Sequence, residues 1–238
     1  MMQRRNEELL GVLTGLVPFL RWRVGPPAAD ELVGADLAAD SDHLAEAVAA
    51  TSAGRGTDDA QVAASLWWQS YAYRIAGTTL GCWLLSGAAP DPATPGTAVA
   101  TARSRPSSVI YAPDAGTVTD LGELVERLFA GHLNHVAASL RARHALGAAL
   151  VAGNTASSIE SALAAVRSAP GAPERDERLA AVRAALPTGV AATVELGPEG
   201  ARRRTCCLWW KTTDAAGRLC ADCSLHDRPA GATVIGDD

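Results

Sequence analysis

Four cysteines fall close together near the C-terminal end of the chain. Cys206 and Cys207 are adjacent; twelve residues then separate them from Cys220, and Cys223 completes a C-x-x-C pair. Four thiolates brought together form a soft donor set, suited to zinc or to an iron–sulfur cluster. The C-x-x-C spacing lets two sulfurs reach one metal. The adjacent pair is different, because neighbouring side chains of an extended chain point to opposite faces. Wrapping both around one ion requires a bent backbone. A binuclear iron–sulfur core is wider and offers more ways to place such a pair. Zinc sites built from two C-x2-4-C knuckles lack adjacent cysteines, and the plant-type ferredoxin spacing is absent. The spacing alone therefore leaves [2Fe–2S], zinc, and disulfides or free thiols open.

A hairpin is the element expected to position them. Leu208 to Thr212 is apolar, aromatic and β-branched, and reads as a strand. Asp214 to Gly217 reads as the turn that brings Cys220 and Cys223 back. On such a strand Trp209 and Trp210 face opposite ways. Asp222 is expected to accept backbone hydrogen bonds inside the knuckle.

Arg203-Arg204-Thr205-Cys206-Cys207 and Leu219-Cys220-Ala221-Asp222-Cys223 resemble the C-terminal motif of the FhuF-like ferric-siderophore reductases, in which a basic stretch and CC…CxxC bind a [2Fe–2S] cluster. The twelve-residue interval is two longer than is common there, which a longer hairpin tip accommodates. The segment from Ala64 to Gly87 is similar to a helical region of that family, and Gly153-Asn154-Thr155 to its Gly-Asn helix junction. The resemblance spans most of the chain from about residue 60, but only the cysteine motif is specific.

The resemblance implies a cytoplasmic oxidoreductase with Cys206, Cys207, Cys220 and Cys223 as cluster ligands. Its substrate would be a ferric siderophore, hydroxamate chelates first among them. Siderophore oxygens grip Fe(III) and hold the softer Fe(II) far less tightly, so one electron releases the metal. Thiolate-ligated [2Fe–2S] centres reach roughly −400 mV. No G-x-G-x-x-G fingerprint or P-loop occurs, so the electron must come from an external donor such as a ferredoxin or flavoprotein. A peripheral contact with the membrane surface, where imported chelates arrive, is compatible with this role. Arg202, Arg203, Arg204 and Lys211 form a basic stretch that would attract an acidic donor or an anionic chelate. Trp209 and Trp210 would shield the cluster or line the chelate site. Trp67, Trp68, Tyr71, Arg74 and His132 are candidate pocket residues by type and position. Three rivals remain: a zinc-stabilised structural or interaction module, an iron–sulfur redox sensor, and a siderophore synthetase, for which no recognisable ATP site is present.

The remaining elements are read from composition and periodicity. The chain has 238 residues and is Ala-rich, which favours helices. Its net charge of −5 gives no basic excess for nucleic acid. The expected fold is mainly α with a small β component: a helical region over 1–196 and a cluster-binding segment over 197–238, forming one unit because so small a hairpin buries no core of its own. The apolar run from Leu9 to Leu20 follows Arg4-Arg5 as in a signal peptide. Glu7 and Glu8 interrupt the basic region and Arg21 and Arg23 follow the apolar run, so a buried first helix is expected. A short helix over Ala29–Leu37 and one capped at Asp40 or Ser41 come next, with a boundary at Ser52 to Gly56. Thr57 is expected to cap a long helix that Gly77 and Gly81 either break or let pack closely. Thr97–Thr101 and Ser107–Tyr111 read as a β-hairpin. Thr119 caps a helix that bends near Gly131 and reaches Ala145. On it His132 and His135 share a face, and a solvated pair is expected rather than a metal site. Gly153-Asn154-Thr155 ends one helix and begins another, a linker follows Ser168, and Val190–Leu196 reads as a strand. Cys82 lies in an apolar stretch and reads as a small buried hydrophobe.

Overall fold

The structure is a computed structural model that describes residues 2–39, 42–102, 105–168, 174–198, 200–216 and 218–225. It is mainly helical with small sheets. The expected cap at Asp40 or Ser41, the linker over 169–173, Glu199 and the Gly217 turn lie outside the described residues.

The helices are α1 (Met2–Leu16), α2 (Gly34–Ala38), α3 (Asp42–Arg55), α4 (Ala60–Ser86), α5 (Leu121–Leu128), α6 (Asn134–His144), α7 (Ala148–Ser168), α8 (Glu174–Ala185) and α9 (Thr188–Ala191). The strands are β1 (Arg21–Val24), β2 (Leu32–Val33), β3 (Ala89–Pro90), β4 (Ala98–Ala102), β5 (Arg105–Tyr111), β6 (Thr117–Val118), β7 (Val194–Gly197) and β8 (Gly200–Arg203).

Helix α4 is the axis of the fold. It is apolar on nearly every side and buried along most of its length, the pattern of a helix enclosed by neighbours. The Asp59 carboxylate accepts the Gln61 and Val62 amides at 2.9 and 3.2 Å, so the cap is this residue and not Thr57. A carboxylate satisfies two orphan donors and also meets the positive helix end. Gly77 and Gly81 do not break the helix. A Cβ on Gly77 would come within 2.7 Å of Ala162 on α7, and one on Gly81 within 3.1 Å of Leu13 on α1. They let two neighbours lie close.

The expected hairpin of β4 and β5 is present, pairing Val99 with Val109. It is the centre of a four-stranded sheet ordered β1-β5-β4-β2, in which β1 runs parallel to β5. The β1 alternation of Arg21-Trp22-Arg23-Val24 is only four residues long and β2 only two, too short to read as strands before they pair with the hairpin. The helix expected over Ala29–Leu37 is accordingly shorter, with β2 in its first half.

Asp120, not Thr119, caps α5, its carboxylate accepting the Glu123 amide at 2.8 Å. The bend near Gly131 is a π-helical turn over Phe129–Leu133 leading into α6. That turn separates the two histidines. His132 is buried and His135 is exposed, so they do not share a face.

Helix α7 runs unbroken through Gly153, Asn154 and Thr155, which corrects the expected junction there. It packs along α4, with Ala162 and Val166 against Gly77 and Gly81, and its buried Asn154 and Ser157 meet the cysteine segment. The hairpin of β7 and β8 pairs Val194 with Arg203 and delivers the chain to the cysteines. Among the described residues no helix is long and apolar enough to cross a membrane.

Candidate functional site

The cysteine segment is not a β-hairpin. Trp209–Lys211 and Thr213–Ala215 are two short 3-10 turns, and the strand expected over Leu208–Thr212 does not form. The reason lies at Leu208, which takes the left-handed conformation with φ 67° and ψ 5°. This left-handed turn directly follows the adjacent pair and redirects the Trp209 amide, and the Leu208 amide donates to Cys206 Sγ at 3.4 Å. The Leu225 amide makes the same contact with Cys223 Sγ at 3.4 Å, and the Trp209 amide serves Cys207. Three sulfurs thus accept an N–H from the residue two positions on, a geometry that favours thiolates over thiols.

Cys207 Sγ and Cys220 Sγ lie 3.3 Å apart. A disulfide would need about 2.0 Å, whereas two sulfurs sharing a tetrahedral metal at about 2.3 Å stand roughly 3.8 Å apart. The sulfur–sulfur hydrogen bond from Cys220 holds the Cys207 thiol down to about 6; burial opposes this, and the Arg203 guanidinium and the Trp209 amide add to it. Cys220 is pushed up by the same sulfur–sulfur hydrogen bond and by burial. Burial raises the Cys206 thiol despite the Leu208 amide and the Trp210 indole. Cys223 is close enough to Cys206 and Cys220 to raise both electrostatically. Among the described residues no three His, Cys, Asp or Glu side chains converge on one metal-binding point. The donor set nevertheless suits a thiolate-ligated group in type, spacing and hydrogen bonding. Cys82 stands apart, buried in α4, its thiol pushed up by burial.

Arg203 anchors this segment. It is 2% exposed. Its guanidinium forks onto Asp222, with Nε to Oδ2 and Nη2 to Oδ1 both at 2.9 Å. It also donates to Asn154 Oδ1 at 3.1 Å and Ser157 Oγ at 2.7 Å. Burial works against its charge, but Cys207, Asp222 and Cys220 more than offset it and raise its pKa. Ser157 Oγ donates to Asp222 as well. Asn154 Nδ2 reaches Ser65 of α4, whose hydroxyl donates to the Cys207 carbonyl at 2.9 Å. Asp222 is therefore the acceptor of a buried ion pair, beyond any local knuckle role. A second anchor comes from the end of α3. Gly56, with φ 60°, accepts the Thr213 amide at 3.2 Å, and Arg55 pairs with Asp214 at 2.8 Å. The residues expected to mark a boundary hold the cysteine segment in place.

A cavity of about 750 Å³ opens beside the sulfurs, with both Cys207 and Cys220 in its wall. Helix α4 supplies Gln69, Ser70, Tyr73 and Arg74; α3 supplies Arg55, and α7 supplies Ser158 and Ser161. Trp209 lines it too, with the Arg218 guanidinium 5.9 Å from its ring centre. Of the candidate pocket residues only Arg74 is there. Trp67, Trp68, Tyr71 and His132 are core: Trp67 stacks on Tyr71 at 4.9 Å, and the Tyr71 hydroxyl meets His132 Nε2 at 2.8 Å. Arg202, Arg204, Lys211 and Trp210 do not line the cavity. Trp210 is 37% exposed, its indole N–H turned to Cys206 and the Lys211 ammonium 5.7 Å from its ring centre. The two tryptophans do part company, through a 3-10 turn instead of strand alternation. Arg55, Gln69, Tyr73, Ser158 and Ser161 carried no local signal, because only tertiary packing unites them.

No family model matches the chain, and no curated protein matches it.

Proposed function

We propose that the protein is a ferric-siderophore reductase similar to the FhuF-like enzymes, with a [2Fe–2S] cluster held by Cys206, Cys207, Cys220 and Cys223. The observation that carries this reading is the cavity with Cys207 and Cys220 in its wall. A structural zinc staple has no use for a ligand-sized cavity at its sulfurs, whereas a reductase needs one there. When bound, the cluster supplies a one-electron relay from an external donor protein, a ferredoxin or flavoprotein, to chelated Fe(III).

The chain's own residues do the rest. Arg203 fixes the cysteine segment on α7 through Asp222, Asn154 and Ser157. It also places a buried positive charge beside Cys207 and Cys220, which favours a more reducible centre. Amides of Leu208 and Leu225 stabilise the thiolates. Arg55, Tyr73, Arg74 and Trp209 form the wall a chelate would touch. Iron enters as Fe(III), takes up one electron and leaves as Fe(II); the donor protein is oxidised by one electron. Trp210, Lys211 and Arg204 are exposed outside the cavity, and they are the residues we assign to the acidic donor.

The test is single-turnover. Anaerobic protein reduced with dithionite and freed of excess reductant is mixed with a ferric siderophore and an Fe(II) trap. Return of the oxidised charge-transfer bands with one trapped Fe(II) per protein supports the proposal. A stable reduced spectrum with every ferric chelate tried would leave a redox sensor, and a colourless zinc protein would leave the structural module.

A further inference from the structure

The cavity has a charge character that a generic chelate site does not require. Its lining includes two guanidiniums, Arg55 and Arg74, and no carboxylate. The chain as a whole carries a net charge of −5, so this wall runs against the average. Arg74 spends its donors on backbone carbonyls, those of Phe19 and Pro106. Among the described residues no carboxylate pairs with it. Arg21 is near enough to depress it electrostatically, burial being the larger cause. Asp214 engages Nη1 of Arg55, but the buried Arg55 Nε has no hydrogen-bond partner among the described residues. Arg55 has Asp214 as a counter-charge, whereas Arg74, partly desolvated, meets no carboxylate among the described residues, and a desolvated cation is costly without a counter-charge. A bound anion would supply it.

We infer that the cavity beside Cys207 and Cys220 takes a negatively charged chelate, of catecholate or carboxylate type, with Arg55 and Arg74 as its charge-selecting residues. This rests on the reductase reading for its function but not for its binding chemistry. Neutral hydroxamate complexes give these guanidiniums no net charge to meet. Serine hydroxyls and Gln69 in the same wall suit the peripheral oxygens of such a ligand.

Gallium(III) complexes test this without electron transfer, because gallium keeps the coordination of Fe(III) and is not reduced. The probes are the tris-catecholate anion and the neutral tris-hydroxamate of Ga(III), titrated into anaerobically purified holoprotein with tryptophan fluorescence as readout. The catecholate is expected to bind at least about tenfold tighter at low salt, with the advantage shrinking as salt rises. Arg74→Gln and Arg55→Gln should each remove most of it, and Arg74→Lys should retain it. Equal or tighter binding of the neutral complex overturns the inference, as does a preference unchanged in both glutamine variants. Charge-selective binding of gallium complexes, with no oxidation of the reduced protein by their ferric counterparts, overturns the reductase reading instead.

Discussion

Thr205 lies on the bare Cα of Gly153: a Cβ there would stand 1.8 Å from Thr205 Oγ1 and 3.0 Å from its Cβ. Glycine inside helix α7 lets the chain entering the cysteine pair dock against the helix. The expected effect of Gly153→Ala is set by two opposed terms. Alanine in a helix interior gains about 1 kcal/mol, and overpacking costs about 1–3 kcal/mol. A net loss of roughly 1 kcal/mol is predicted in urea unfolding, together with reduced iron retention. Adding Thr205→Ala should recover most of both. Additivity of the two changes would show that the contact does not couple them.

Asp222 is predicted to matter more than its partial exposure suggests. Asp222→Asn leaves the Arg203 guanidinium buried against Asn154 and Ser157. Breaking a buried pair on one side costs about 3–5 kcal/mol. The nearby Cys207 thiolate offers partial compensation, so the lower end, about 3 kcal/mol, is expected. Arg203→Lys should not be silent, since an ammonium cannot reproduce the fork. Urea denaturation of both variants checks this, and a loss under about 1 kcal/mol would mean the pair is merely a surface-strength one.

Acid should weaken the fold through His132. Burial lowers its pKa to about 4, with the Pro92 carbonyl opposing and His135 adding to the fall. In the unfolded chain the imidazole titrates near about 6.5. Between those values the unfolded state binds the proton and the native state does not. Stability is therefore full above about 6.5 and falls as pH drops towards about 4, by on the order of 3 kcal/mol. His132→Gln should flatten that part of the pH–stability curve. An unchanged slope would assign acid sensitivity to other groups.

Trp210 is predicted to tune the centre. Its indole N–H serves Cys206, and donors to ligand sulfur raise the potential of iron–sulfur centres. One hydrogen bond of about 1 kcal/mol corresponds to roughly 40 mV in a one-electron couple. Trp210→Phe should lower the midpoint by about that amount in an EPR-monitored redox titration, with Trp209→Phe as the comparison. A rise, or equal shifts in the two variants, would contradict the assignment.

The cysteine spacing was legible because soft ligands are chemically distinct and scarce. The helical class was legible too, from alanine content and apolar periodicity. The conformation between the cysteines was not. Leu208–Thr212 has β propensity, yet a left-handed Leu208 overrides it and turns the Trp209 amide onto Cys207. Gly153-Asn154 looked like a helix break because glycine is a poor helix former; here its missing side chain is what the docked segment needs. Trp67, Trp68 and Tyr71 of α4 looked like pocket walls and proved to be core, while the cavity is lined by residues from α3, α4, α7 and the cysteine segment. Arg203 sat among solvated-looking basic neighbours, and only its partner Asp222 in the folded chain shows why it is buried.

The central claim is that the four cysteines hold a one-electron iron–sulfur centre. Visible and EPR spectra of anaerobically purified protein, before and after dithionite, with iron and sulfide counted, test it most directly. Charge-transfer bands that bleach on reduction, a paramagnetic one-electron signal, and iron and sulfide in equal amounts are expected, all lost in Cys207→Ser and Cys220→Ser. A colourless, EPR-silent protein with stoichiometric zinc would contradict it.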